Sequence, residues 1–142
     1  MPDNILRTGD LAIFDRVMGQ AIMLMHYSKA LQGSSSLSIN GKNCCMVNDE
    51  KQVIIHHCVY NAPPYLNGKG ILFIESLGED QQTKFYKIDE KAVILKGSKF
   101  NALFVVMSPA SFIDSKLILD PRPTYRGQGH FQVNNSFGEC FK

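Results

Sequence analysis

Apolar and polar positions along this chain alternate with a period of two over short runs, and turn residues separate the runs. Leu11-Ala12-Ile13-Phe14 follows Gly9-Asp10 and predicts a strand. Val17 to Met25 is Met-rich, but it is short and holds Gly19, so it is read as one buried strand. Leu37 and Ile39 alternate with Ser36 and Ser38, and Asn40-Gly41 follows at once. That dipeptide selects the type I′ hairpin turn, in which both central residues need positive φ. Cys44 to Val47 makes the returning strand, closed by Asn48-Asp49. Gln52 to Tyr60 is β-branched and aromatic and predicts a strand that ends at Ala62-Pro63-Pro64, because proline brings no amide proton to a ladder. Gly68-Lys69-Gly70 reads as a turn before the strand Ile71–Ile74.

Gly78 to Gln82 is a polar loop. Phe85–Ile88 and Ala92–Leu95 are strands joined at Asp89-Glu90, and Lys96 to Lys99 is a turn. Phe100–Met107 is the longest strand candidate, with Phe112-Ile113 and Leu117–Leu119 as short pieces after it. From Asp120 the chain is Pro/Gly-rich and loses its period, so 120–142 reads as an irregular arm with room for one strand near His130. No window carries the 3.6 period of an amphipathic helix, and the expectation is an all-β domain built of short strands and hairpins. Gly33-Ser34, Gly70-Ile71 and Gly97-Ser98 echo one another weakly near strand starts, and the need of hairpins for glycine explains this most simply.

A chain of 142 residues is expected to form one domain, 1–142, with 1–8 as an N-terminal lead. The net charge is +2 and the basic residues are scattered, which argues against a nucleic-acid partner. Residues 1–4 carry no basic region ahead of an apolar one, so synthesis in the cytoplasm without a signal peptide is expected. Four cysteines are too few for a disulfide scaffold, although Cys45 and Cys58 on facing strands are one pairing to weigh.

The block from His26 to Asp49 resembles the repeat of the PAAR and PAAR-like proteins. Those are small conical β-domains that cap the spike of contractile injection systems. The matching residues are Gly9-Asp10, Gly33-Ser34, Leu37 and Ile39, Asn40-Gly41-Lys42, and Asp49, with His26 upstream and His56-His57-Cys58 downstream. The match runs residue by residue over about Gly9 to Tyr60. The Pro-Ala-Ala-Arg signature is absent, Ser108-Pro109-Ala110-Ser111 being a partial shadow of it, and Cys44-Cys45 stand where small apolar residues are usual. These departures point to the divergent PAAR-like group of extracellular or phage-tail-like particles.

The resemblance implies a cone-shaped structural protein, one copy per spike, that sharpens a trimeric spike and helps to pierce the target envelope. It implies transient contact with the target membrane, effector or toxin cargo as a further partner, and release outside the cell at the tip of the particle. An apolar base is expected from the strand ends between Ile71 and Met107. The resemblance also implies one metal ion near the apex, zinc or in its place iron, because a narrow tip has too little volume for an apolar core. Its ligands are expected to be His26, His57, Cys58 and Cys140, with His56 and His130 as other candidates. His57 and Cys58 are neighbours and reach one ion only if the chain turns there. Without a metal, the histidines are satisfied by backbone hydrogen bonds and the cysteines are small core fillers.

Two other functional classes bear on the same residues. A Cys-His nucleophilic pair has no local signature here, there is no Gly-x-Ser-x-Gly elbow, and catalysis is not expected. A small soluble β-barrel that binds a ligand or partner is the alternative, with nine phenylalanines and five tyrosines to line a cavity. A spike tip should expose an apolar patch when isolated, and a soluble binding module should not.

Overall fold

The computed structural model describes residues 4–88 and 90–133. Ten strands form one antiparallel sheet. Along its main path the order is β2 (Val17–Met18), β3 (Ala21–Met23), β7 (Ile54–Ala62), β8 (Tyr65–Ser76), β11 (Phe100–Ser108), β14 (Thr124–Gln132), β1 (Leu11–Phe14) and β4 (Ser28–Ala30). A hairpin of β12 (Ser111–Asp114) and β13 (Lys116–Leu119) joins the side of β8 through the pair Ser111–Leu66. Two small pairs stand apart, β5 (Ser38–Ile39) with β6 (Lys42–Asn43), and β9 (Gln82–Ile88) with β10 (Lys91–Ile94).

The sheet curls into a half-barrel. Its β4 end approaches β7, where Lys29 Nζ donates to Ile54 O at 2.9 Å and Val59 N–H donates to the Tyr27 hydroxyl at 2.8 Å. The all-β expectation therefore holds.

Inward-facing residues alternate along the main strands β1, β8 and β11, as a half-buried sheet requires. Aromatic rings fill the concave side. Phe14 meets Phe100 edge-on at 5.3 Å between centroids, Phe100 meets Phe131 at 5.0 Å, and Tyr60 meets Phe104 at 5.0 Å. These rings explain why Gly68-Lys69-Gly70 is not a turn but the body of the long strand β8. Gly68 lies directly opposite Tyr60, and a Cβ there would come within 2.2 Å of the Tyr60 ring. A Cβ on Gly70 would come within 2.5 Å of the Phe104 ring. Glycine here marks close approach of a ring to the backbone, not a reversal. The weak glycine echo fails for the same reason.

Three further expectations change. Val17 to Met25 is not one strand but the hairpin β2–β3, reversed at Gly19, whose φ is +63°. The arm expected over 120–142 instead supplies β14, an interior strand paired on both edges, with β11 and with β1. The glycines of Tyr125-Arg126-Gly127-Gln128-Gly129 hid its period. Gly127 packs under Met18, and Gly129 sits opposite Phe100.

The lead expected at 1–8 is in its described part, 4–8, buried structure. Ile5, Leu6 and Arg7 are buried, Leu6 N–H donates to Ile94 O, and Cys45 N–H donates to Leu6 O. Residues 4–8 and 43–47 form a wall between two apolar clusters. Leu6 and Cys45 face the main core, while Ile5, Cys44 and Met46 face a smaller one with Val93 and Leu95. Adjacent Cys44 and Cys45 thus serve opposite faces, as neighbours on an extended chain do.

The Asn40-Gly41 turn is as expected, with φ of +52° and +80°, but its strands are shorter. Past Asn43 the returning chain makes only isolated bridges, Cys44 to Arg7 and Met46 to Val93.

Candidate functional site

The residues that carry the resemblance prove to be a clasp. The Asp49 carboxylate is buried and accepts from the Ser34 amide at 3.0 Å, the Ser34 hydroxyl at 2.8 Å and the Met46 amide at 2.8 Å. It ties the Gly33-Ser34 bend to the far end of the β5–β6 excursion. Gly33 N–H donates to Thr8 Oγ1 at 2.8 Å, and a Cβ on Gly33 would lie 2.1 Å from Asn43 O, so no larger residue fits. Arg7, itself buried, donates from Nη1 to Ile39 O at 3.0 Å and holds the hairpin from below.

The histidines and Cys58 gather around a bulge in β7. The register against β8 slips between Ile55 and Cys58, and His57 takes φ of +60°. The chain does turn at His57, but the turn sends the two neighbours apart. His56 and His57 are exposed, with ring centroids 6.3 Å apart, while Cys58 is fully buried and its Sγ donates to Ile55 O at 3.4 Å. Burial pushes the Cys58 thiol up to about 11, against a smaller lowering by a backbone hydrogen bond.

His26 is exposed on a segment that follows β7. Met23 pairs with Tyr60, and Leu24 N–H donates to Val59 O. His130 is half-buried on β14, opposite Ile13. Cys140 lies outside the described residues. Among the described residues, no three His, Cys, Asp or Glu side chains stand close enough to share an ion. Those residues alone do not fit a tetrahedral zinc, which needs four converging donors. Cys45 and Cys58 are not bridged to one another.

The short pieces Phe112-Ile113 and Leu117–Leu119 pair as the β12–β13 hairpin, which the sequence does not reveal. Its inner face leans on β8, where Phe112 meets Tyr65 edge-on at 5.2 Å. Ile113 and Leu117 are directly paired on the outer face, 81% and 62% exposed, and Leu119 lies beside them. Leu66 on β8 and Met107 at the end of β11 are exposed as well. The strand ends between Ile71 and Met107 were expected to supply this apolar surface. Within β8 and β11, Leu72, Ile74, Phe100, Ala102 and Phe104 turn into the core, but Phe85 and Tyr86 on β9 and Met107 at the end of β11 stay exposed within the expected range.

A buried polar knot holds the neck of the hairpin. Asp120 Oδ2 accepts from the Tyr60 hydroxyl at 2.6 Å and from the Tyr125 hydroxyl at 2.8 Å, and its Oδ1 accepts from Arg122 N–H at 3.0 Å. Ala110 N–H donates to the Tyr60 hydroxyl at 3.1 Å, and Asp120 N–H donates to Ala110 O at 2.8 Å, which closes the loop. Burial first, and the hydrogen bond to Asp120 after it, raise both phenols, Tyr60 to about 12. Both tyrosines therefore stay protonated and donate. Ala110 belongs to the Ser108–Ser111 stretch in which the sequence shows a partial family signature.

A stapled apolar hairpin on a stiff β-fold is what an assembly component offers to a partner. The model of one protein family, the contractile injection system spike tip protein, matches residues 1–139. The chain belongs to this family. A comparison with curated proteins gives no match. The spike-tip assignment makes the chain a component of the spike and tail assembly of a contractile particle.

No helix among the described residues is long and apolar enough to cross a membrane.

Proposed function

We propose that this chain caps the trimeric spike of its own particle as a single copy and docks through the β12–β13 hairpin end. The observation that carries the reading is the pairing of an exposed apolar face, Ile113 and Leu117, with a buried staple at its neck. Exposed apolar residues on a loose loop collapse or aggregate. On a stapled hairpin they are presented in one geometry, which lowers the ordering cost of binding. The blunt end of a β-structured spike has open strand edges, and covering them removes templates for unwanted pairing. The role is mechanical and not catalytic, and the rigid aromatic core suits a tip driven into the target envelope. Cargo attachment and release outside the cell follow from the same reading.

Zinc, or iron in its place, held by His26, His57, Cys58 and Cys140 rests on the family resemblance alone, and no step is derived through it. The alternative of a barrel with an internal ligand finds less support. The phenylalanines at 14, 100, 104 and 131 are buried against one another or against Tyr60 instead of lining a void.

The test is affinity capture of the spike protein encoded for the same particle. The Ile113→Ser/Leu117→Ser variant, altered only at exposed positions, should keep its fold and lose capture of the trimer. Undiminished capture by this variant would move the docking surface elsewhere.

A further inference from the structure

Among the described residues, β13 pairs with β12 and with no other strand, so its far edge is open. The direction of its main-chain groups follows from the ladder. Asp120 N–H donates to Ala110 O at 2.8 Å, so position 120 faces the β12 side, and with it the even positions 118 and 116. Leu117 and Leu119 therefore turn their N–H and C=O groups away from β12. The same alternation turns Ser111 of β12 away from β13, and there it meets Leu66 of β8. The next outward position after Leu119 is Pro121, which brings no N–H. On the other side Ser115 lies in the hairpin turn with φ of +59°. The open edge thus consists of the amides and carbonyls of Leu117 and Leu119.

Edge strands are ordinarily covered, or blunted by charge. This one begins with Lys116, but leucines stand at both positions whose main-chain groups face outward, and both leucines are exposed. The strand runs straight into Asp120, whose carboxylate is held by the hydroxyls of Tyr60 and Tyr125. The edge is therefore fixed in one geometry before anything binds, which lowers the ordering cost of binding.

The chemistry of this edge limits what can occupy it. A lipid surface would take the leucine side chains but leave the amides without partners. A helix has its own main-chain groups engaged and could cover the side chains only. An extended strand satisfies both. We infer that β13 takes up one strand of the spike protein by main-chain pairing at Leu117 and Leu119, beside the apolar contact of Ile113 and Leu117. Strand addition of this kind rests on the docking through the hairpin end and gives its mode. One open edge pairs with one strand, so of three equivalent spike chains a single one is bonded in this way.

The test is hydrogen exchange resolved to single amides, on the full chain when free and when captured by the spike trimer of its particle. In the free chain the amides of Leu117 and Leu119 should exchange fast and that of Ile118 slowly. In the complex the first two should slow by about tenfold or more. A captured trimer with Leu117 and Leu119 still fast would overturn strand addition and leave the docking surface standing. Wild type that captures no trimer would overturn both. Protection of these two amides in the free chain that rises with its concentration would assign the edge to a second copy and overturn the inference as well. Leu119→Pro gives a second readout, because it removes an outward N–H and no bond of the β12–β13 ladder. It should weaken capture by about tenfold, the worth of one hydrogen bond, and Leu119→Ala, which trims the side chain alone, should weaken it less. Equal capture by the two variants, with Ile118 still slow in both, would overturn the inference.

Discussion

Replacing Asp120 by alanine should be among the most damaging single changes in this protein. The carboxylate accepts three hydrogen bonds, two of them from buried tyrosine hydroxyls. Hydrogen bonds to a charged group contribute about 1.5–3 kcal/mol each, and buried donors left without a partner carry their desolvation cost. With some relaxation, the loss should be about 3–5 kcal/mol. Tyr60→Phe removes one donor to Asp120 and also orphans the fully buried Ala110 amide, for about 2–4 kcal/mol. Tyr125→Phe removes a single donor and should cost about 1–2 kcal/mol. The expected order is Asp120→Ala, then Tyr60→Phe, then Tyr125→Phe, read from urea unfolding midpoints with unchanged slopes. A double-mutant cycle between positions 60 and 120 should show clear coupling. Hydrogen exchange should place the loosening first in residues 111–119. A loss below about 0.5 kcal/mol for Asp120→Ala, the scale of an ordinary surface change, would refute the staple.

Other consequences can be measured in the same preparations. Because the Tyr60 phenol is raised to about 12 in the fold, its contribution is whole below the unfolded value of about 10 and is lost as pH rises between the two. Urea midpoints should thus fall over that interval in the wild type and fall less in Tyr60→Phe. Gly68→Ala would push a methyl group into the Tyr60 ring and should cost about 1–3 kcal/mol by overpacking, whereas substitution of a turn glycine with open space, as first expected here, would be milder. Cys44, Cys45 and Cys58 are buried, and Cys45 and Cys58 have raised thiols, so iodoacetamide should label none of the three in the folded chain and all three in urea. Elemental mass spectrometry of the wild type beside His57→Ala and Cys58→Ser tests the metal reading. One zinc per chain, lost in both variants, supports it, and metal-free wild type removes it.

The strand content was legible because period-two alternation is a local property. Leu11–Phe14, the Asn40-Gly41 turn and the long strand after Phe100 appear where their residues place them. The errors share a cause. Glycine was read as punctuation at 68, 70, 127 and 129, but at 68, 70 and 129 it makes room for an aromatic ring and at 127 for Met18, contributed from elsewhere in the chain. Nothing local distinguishes the two uses. The Gly33–Asp49 unit was legible as a family motif, yet its carboxylate clasp is visible only when Ser34 and Met46 meet at Asp49. The His57-Cys58 pair could be judged only from the bulge, which points one out and the other in. Asp120 gives little signal, because its buried partner Tyr60 is 60 residues away along the chain.

The most direct measurement is the native mass of the complex formed when this chain is co-expressed with the spike protein of its particle. The account predicts three spike chains to one copy of this chain, and loss of that species with Ile113→Ser/Leu117→Ser. Equal numbers of the two chains, or a spike trimer that never carries this protein, would contradict it.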